Sequence, residues 1–175
     1  MSRSVPTSVP ESVALLRRVY PDSEARTGPD HLAELGSVIE AIPYRWLYWP
    51  ELVESHGAVF VDLFGAGAAA FREGLDASVR RGPTGRSRTA WLAVVDSYNL
   101  IELWQLFRRW RGGLDASEEA LLALGGLVLE PWRARLNSAF PDRMFTVEIV
   151  PPDPEVGVCL QVRQTAPRLD PPAGW

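Results

Sequence analysis

An α+β fold, with helices packed on a small, mainly antiparallel sheet that includes a C-terminal β-hairpin, is what this sequence predicts. Three observations point to it. From Val9 to Phe140 most apolar residues recur at helical spacing. After Pro141 the period drops to two: Phe145, Val147 and Ile149 alternate with Thr146 and Glu148, and Val156, Val158, Leu160 and Val162 alternate with Gly157, Cys159, Gln161 and Arg163. Between the two runs, Pro151, Pro152, Asp153 and Pro154 turn the chain. The alternative is an α/β fold with two strand–helix units, at 58–80 and 90–111.

Each element has a local reason. Ser8 and Glu11 have capping-box spacing ahead of Val9, Val13, Leu16 and Tyr20, a helix that Pro21 stops. Leu32, Leu35, Ile39 and Ile42 predict a second helix from Asp30, weakened at Gly36. Tyr44, Trp46, Tyr48 and Trp49, bounded by Pro43 and Pro50, predict a strand, because aromatic side chains favour the pleated surface. Tyr44, Trp46 and Tyr48 would then point one way and Arg45, Leu47 and Trp49 the other. Residues 51–55 are short and polar, His56-Gly57 is a turn, and 58–64 is a strand. Gly65-Ala66-Gly67 leads into a helix on Ala68, Phe71, Leu75 and Val79. Residues 80–88 read as a mobile basic loop.

Residues 90–98 are almost wholly apolar and suit a buried strand or the first turns of a helix. Asn99 and Glu102 are spaced to cap a helix with Leu100, Leu103, Trp104, Phe107 and Trp110 on one face. Arg108, Arg109 and Arg111 would close its last turn and Gly112-Gly113 its end. Ser117, Glu118 and Glu119 open the next helix, which Pro131 should kink or restart. The hairpin after it should bury one face. Residues 1–164 read as a single globular domain and 165–175 as a loose Pro-rich tail, with Trp175 docked on its own domain or on a neighbour.

The chain has 175 residues, 46% hydrophobic and 23% charged, a globular mix in one domain that needs no disulfide or metal to fold. Its 18 basic residues are all Arg, which predicts a GC-rich, bacterial genome and leaves the guanidinium fork as the one cationic tool. Against 22 acids the net charge is −4, so nucleic acid is an unlikely partner. Cys159 is alone, which excludes an intrachain disulfide and a Cys-based metal site. No apolar stretch reaches membrane-spanning length and no leader is visible, so a cytoplasmic protein without a membrane role is expected.

Three places carry candidate chemistry. Tyr44, Trp46, Tyr48 and Trp49, followed by Glu51, Glu54 and His56, form the densest mix of aromatic and ionisable groups, the composition of a partner-binding segment. Arg80, Arg81, Arg86 and Arg88 could grip an acidic partner or an anion. Asp62 with Gly65 and Gly67 is a candidate cofactor-binding turn, since a Gly-rich strand–helix turn lets backbone N–H groups approach a phosphate or carboxylate. Over about ten residues, 61–67 and its flanks, this string is similar to the first loop of S-adenosylmethionine-dependent methyltransferases. It departs from that pattern at Ala70, where the third Gly would stand, and no acid-tipped strand or Asn-Pro-Pro-Tyr-like string follows. The chain is not assigned to that family.

With no nucleophile–base pair, metal cluster or intact phosphate loop, the expected function is a non-catalytic protein-interaction or regulatory module. Its partner is another protein or a second copy, the latter through the 90–111 helix, and no cofactor is expected. The alternative is a small-molecule enzyme or ligand binder with a pocket beside Gly65 and Gly67, and with Asp62, Glu54 or His56 in polar roles.

Overall fold

The computed structural model of the chain describes residues 9–81, 87–107, 117–153 and 156–175. Ser8, Arg86, Pro154 and residues 108–113, which the sequence reading uses, lie outside them. In order the elements are α1 (Val9–Val19), α2 (Gly28–Leu35), α3 (Val38–Ala41), α4 (Tyr44–Tyr48), β1 (Glu51–Ser55), β2 (Ala58–Asp62), α5 (Gly67–Arg81), α6 (Arg88–Tyr98), β3 (Leu100–Glu102), α7 (Leu103–Leu106), α8 (Glu118–Ala139), β4 (Met144–Asp153) and β5 (Gly157–Ala166). The strands form an antiparallel β1–β2 pair and an antiparallel sheet of order β3-β5-β4. The fold is α+β with the C-terminal hairpin in place. Every strand pairing among the described residues is antiparallel, which excludes the α/β alternative there.

The β1–β2 hairpin turns on two residues. Ser55 pairs with Ala58, leaving His56 at φ 50° and Gly57 at φ 76° between the strands. A two-residue turn that matches strand twist needs positive φ at both positions, which Gly adopts freely and His tolerates. β2 is buried at every residue because its two faces serve two cores. Val59 and Val61 pack with Leu47, Trp132, Leu136, Val158, Leu160 and Val162, while Ala58 and Phe60 pack with Leu75, Trp91, Val95, Leu169 and Trp175.

Asn99 joins the two sheets. Its side-chain oxygen accepts from Val61 N at 3.2 Å, its amide nitrogen donates to Val59 O at 2.8 Å, and its backbone oxygen accepts from Val162 N at 3.1 Å. The side-chain amide therefore occupies the free edge of β2 as a short strand would, satisfying a buried donor and a buried acceptor that water cannot reach. Asn99 thus closes α6 and does not open a helix. Leu100–Glu102 is strand β3, paired to β5, so 90–111 is not one helix and the homodimer face built on it does not form. Trp104, expected in the core, is exposed, while Ile101 and Leu103 are buried.

Three further expectations change for the same reason, a neighbour in space. β5 is buried on both faces, Cys159 and Gln161 included, because it is the central strand and has α8 on one side and α6 on the other. The chain after β5 is packed, not loose. Leu169 and Trp175 are buried, the Trp175 indole donates to Ser87 O at 3.2 Å and meets Trp91 edge-on at 5.2 Å, and Arg88 Nε donates to Leu169 O at 2.7 Å. Finally, α8 continues through Pro131 as a single element, with Val128 and Trp132 on either side of it fully buried.

Candidate functional site

The aromatic stretch 44–49 is a helix, not a strand. Pro43 already has helical φ (−60°), and Pro50 forces Trp49 out of the helix to φ −136°, ψ 70°, so a single turn fits between them. Leu47 decides which way it faces. Its side chain is buried in the first core, and its carbonyl accepts the Trp132 indole N–H at 2.7 Å. At about 100° per residue a one-turn helix with Leu47 inward must turn its other side chains out. Tyr44, Trp46, Tyr48 and Trp49 are accordingly exposed. Arg45 lies 5.7 Å over the Trp46 ring, and Arg135 lies 5.7 Å over Trp49. Burial, and then neighbouring Tyr44, push the Tyr48 phenol above its ordinary pKa.

The segment before α4 continues this surface. Gly36 ends α2, and Ser37 caps α3 by accepting from Glu40 N, so the expected single helix is two short ones. α2 starts at a capping box in which the Asp30 carboxylate accepts from the Arg26 and Thr27 backbone N–H groups while Asp30 N donates to Thr27 Oγ1. The Thr27 side chain and then those backbone N–H groups hold the Asp30 carboxyl below its usual range. The apolar residues expected to face a core do not: Leu32 is 70% exposed, Val38 82% and Ile39 74%, with Leu35 and Ile42 also exposed. His31 is the one buried residue of α2, and neither ring nitrogen has a partner.

Two adjoining hollows open on this face. One, of about 630 Å³, lies between α2, α3 and α4, with Leu63, Leu106 and Phe107 as its far wall. The second, of about 670 Å³, is bounded by Leu32, Ala41, Ile42, Tyr44, Arg45, Trp46 and Tyr48.

The structure does not bring the ionisable candidates into either hollow. Glu51 pairs with Arg45 at 3.3 Å and Arg135 at 4.0 Å, and Glu54 with Arg143 at 2.6 Å. His56 Nε2 lies 2.8 Å from Asp76 Oδ1, with its ring edge-on to Trp91. These groups tie β1 and its turn to α4, α5, α8 and the segment before β4. Arg80 and Arg81 are in the last turn of α5, and Arg88 opens α6, so all three belong to helix ends and not to a loop. Arg81 Nε donates to Ala77 O, and Arg88 holds the C-terminal segment. Gly65 and Gly67 do form a tight turn, at φ 69° and 76°. The Asp62 carboxylate accepts from Ala66 N at 2.9 Å and Gly67 N at 2.7 Å, so the N–H groups an anion would use already bind a carboxylate of the chain.

No family model, no curated protein and no solved structure matches this chain. Among the described residues there is no group of three His, Cys, Asp or Glu able to hold a metal, and no helix long and apolar enough to cross a membrane. Sequence reasoning missed Leu32, Leu35, Val38, Ile39 and Ile42 as surface residues. The available signal was Gly36 followed by Ser37 and Glu40, a helix stop and a new cap that break the periodicity between Leu35 and Ile39.

Proposed function

We propose that the protein is a protein-interaction module that docks a polypeptide on the α2–α4 face. The supporting observation is the continuous exposure of Leu32, Leu35, Val38, Ile39, Ile42 and the four aromatics of 44–49 beside an open hollow of about 630 Å³. Isolated exposed apolar residues need no explanation, but a contiguous patch with a groove is a feature of interfaces. Exposed Trp and Tyr are suited to it, since they bury large area with few rotors and keep a polar tip for a hydrogen bond. The acids of β1 and the Arg residues at the ends of α5 and α6 have structural partners or lie apart from the face, which moves the binding role from the mixed segment 44–56 to α2–α4 alone. A small apolar molecule would fit the volume, but the openness of the groove favours an inserted side chain.

A photo-crosslinking amino acid at position 46, with a control at position 72 on α5, tests this in cells that make the protein. Polypeptide adducts at 46 and none at 72 are expected. Absence of adducts at 46, 39 and 32 alike would sink the reading.

A further inference from the structure

We propose that the partner on the α2–α4 face is a second copy of this chain, seated about a two-fold axis. This rests on the docking reading above and names its occupant. Area is the first argument. Nine large apolar or aromatic residues of α2–α4 and its end are exposed, Leu32, Val38 and Ile39 among them by 70% or more, whereas the largest apolar patch on a typical monomer is about 300–600 Å² and one side of a standard interface about 800 Å². A patch of nine such residues, left bare, covers itself at working concentrations by mass action.

Self-complementarity is the second argument. The two hollows share a wall made by Leu32, Ala41, Tyr44 and Trp46, and each has one charged side chain in its lining: Glu40 in the first and Arg45 in the second. A two-fold axis through the shared wall lays the acidic side of one copy over the basic side of the other. Glu40 and Arg45 then meet twice, and like charges are kept apart, as an isologous interface requires. Glu40 makes no ion pair among the described residues. Arg45 donates to Trp49 O at 3.1 Å and lies over the Trp46 ring, and its one ion pair among the described residues, with exposed Glu51 at 3.3 Å, is a water-screened contact that is cheap to exchange. Val38 and Ile39, the most exposed apolar residues of the face, line neither hollow and are free to enter the opposing surface.

A lipid surface fits less well. Between Arg26 and Arg45 the chain carries Asp30, Glu34 and Glu40 and neither Lys nor Arg, whereas helices that lie on anionic membranes are rich in Lys and Arg on their polar side.

Sedimentation equilibrium of the full chain, from low micromolar to several hundred micromolar, is the test. The expected mass rises with concentration from 19.4 kDa toward twice that value. Ile39→Glu, at a position outside both cores, should hold the chain monomeric with an unchanged circular dichroism spectrum. Glu40→Arg and Arg45→Glu should each weaken the dimer by roughly 5–10-fold, and the double exchange should restore it to within about twofold of wild type. A monomer at every concentration, a dimer indifferent to Ile39→Glu, or a double exchange no tighter than the single ones overturns the proposal. A monomer that still crosslinks through position 46 to a different polypeptide overturns the second copy alone. A monomer with no crosslink overturns the docking reading with it.

Discussion

Trp132 and Trp46 belong to neighbouring elements and have opposite environments. Trp132 is fully buried, with its indole N–H bonded to Leu47 O, while Trp46, one residue from that carbonyl, is 50% exposed. The same contrast holds for the regions around them. The sheet β3-β5-β4 has α8 on one face and α6 against the other, so β5 is buried even at Cys159 and Gln161. The α2–α4 segment is as apolar as that sheet, yet its anchor to the first core is one side chain, Leu47. Composition therefore does not set burial. The number of layers that reach an element does, and the segment with one layer is left with an open face.

Substitutions can break this comparison or sharpen it. The largest loss is expected at the sealed side. Trp132→Ala removes a fully buried indole and leaves Leu47 O without its donor, for about 3–5 kcal/mol in urea unfolding. A loss near that of a surface substitution would end the contrast. Next is the joint between the sheets. Asn99→Ala orphans Val61 N and Val59 O, both in a fully buried strand, and should cost about 2–4 kcal/mol, with faster hydrogen exchange at the Val61 amide.

On the open side the scale should drop. Trp46→Ala should change unfolding free energy by about 0.5 kcal/mol or less while abolishing crosslinking from position 39, which separates a binding role from a packing role. Glu54→Gln breaks a half-exposed pair with Arg143 and should cost under about 1 kcal/mol, shrinking further in high salt. The smallest effect is at the α2 cap. The Asp30 carboxyl is held low in the folded chain, so its contribution is complete above the unfolded carboxyl pKa and is lost as pH falls through the lower folded value. Wild type should exceed Asp30→Asn in thermal midpoint at neutral pH, and the gap should close on acidification below the ordinary carboxyl range. A gap that widened in acid would contradict the cap.

Legibility differed by element. The β4–β5 alternation, the His56-Gly57 turn, the strand–Gly turn–helix unit at 58–81 and the Ser117 cap were readable because each depends on period or on backbone geometry within a few residues. The stretch 90–111 was not. Its helical spacing yields at Leu100–Glu102 to a ladder with β5, whose edge would otherwise be left unpaired there, and is helical again only in the short α7. The candidate residues were legible in part: the aromatic surplus at 44–49 could be read from the sequence, whereas the intrachain contacts of Glu51, Glu54, His56 and Arg88 could not, because the groups that engage them, Arg135, Arg143, Asp76 and Leu169 O, are distant in sequence.

By itself, then, the chain's order of residues determined the α+β class, the C-terminal hairpin, the His56-Gly57 turn, the Ser117 cap and a surplus of rings between Pro43 and Pro50, since these follow from dihedral limits and side-chain period. Only the tertiary structure decided that those rings wind into one helical turn around Leu47, that α2 and α3 share their face, and that Asn99 joins the two sheets. The inward turn of Leu47 and the Asn99 joint are settled by contacts between residues dozens of positions apart, Trp132 with Leu47 and Asn99 with Val59 and Val61, and no local rule reaches that far.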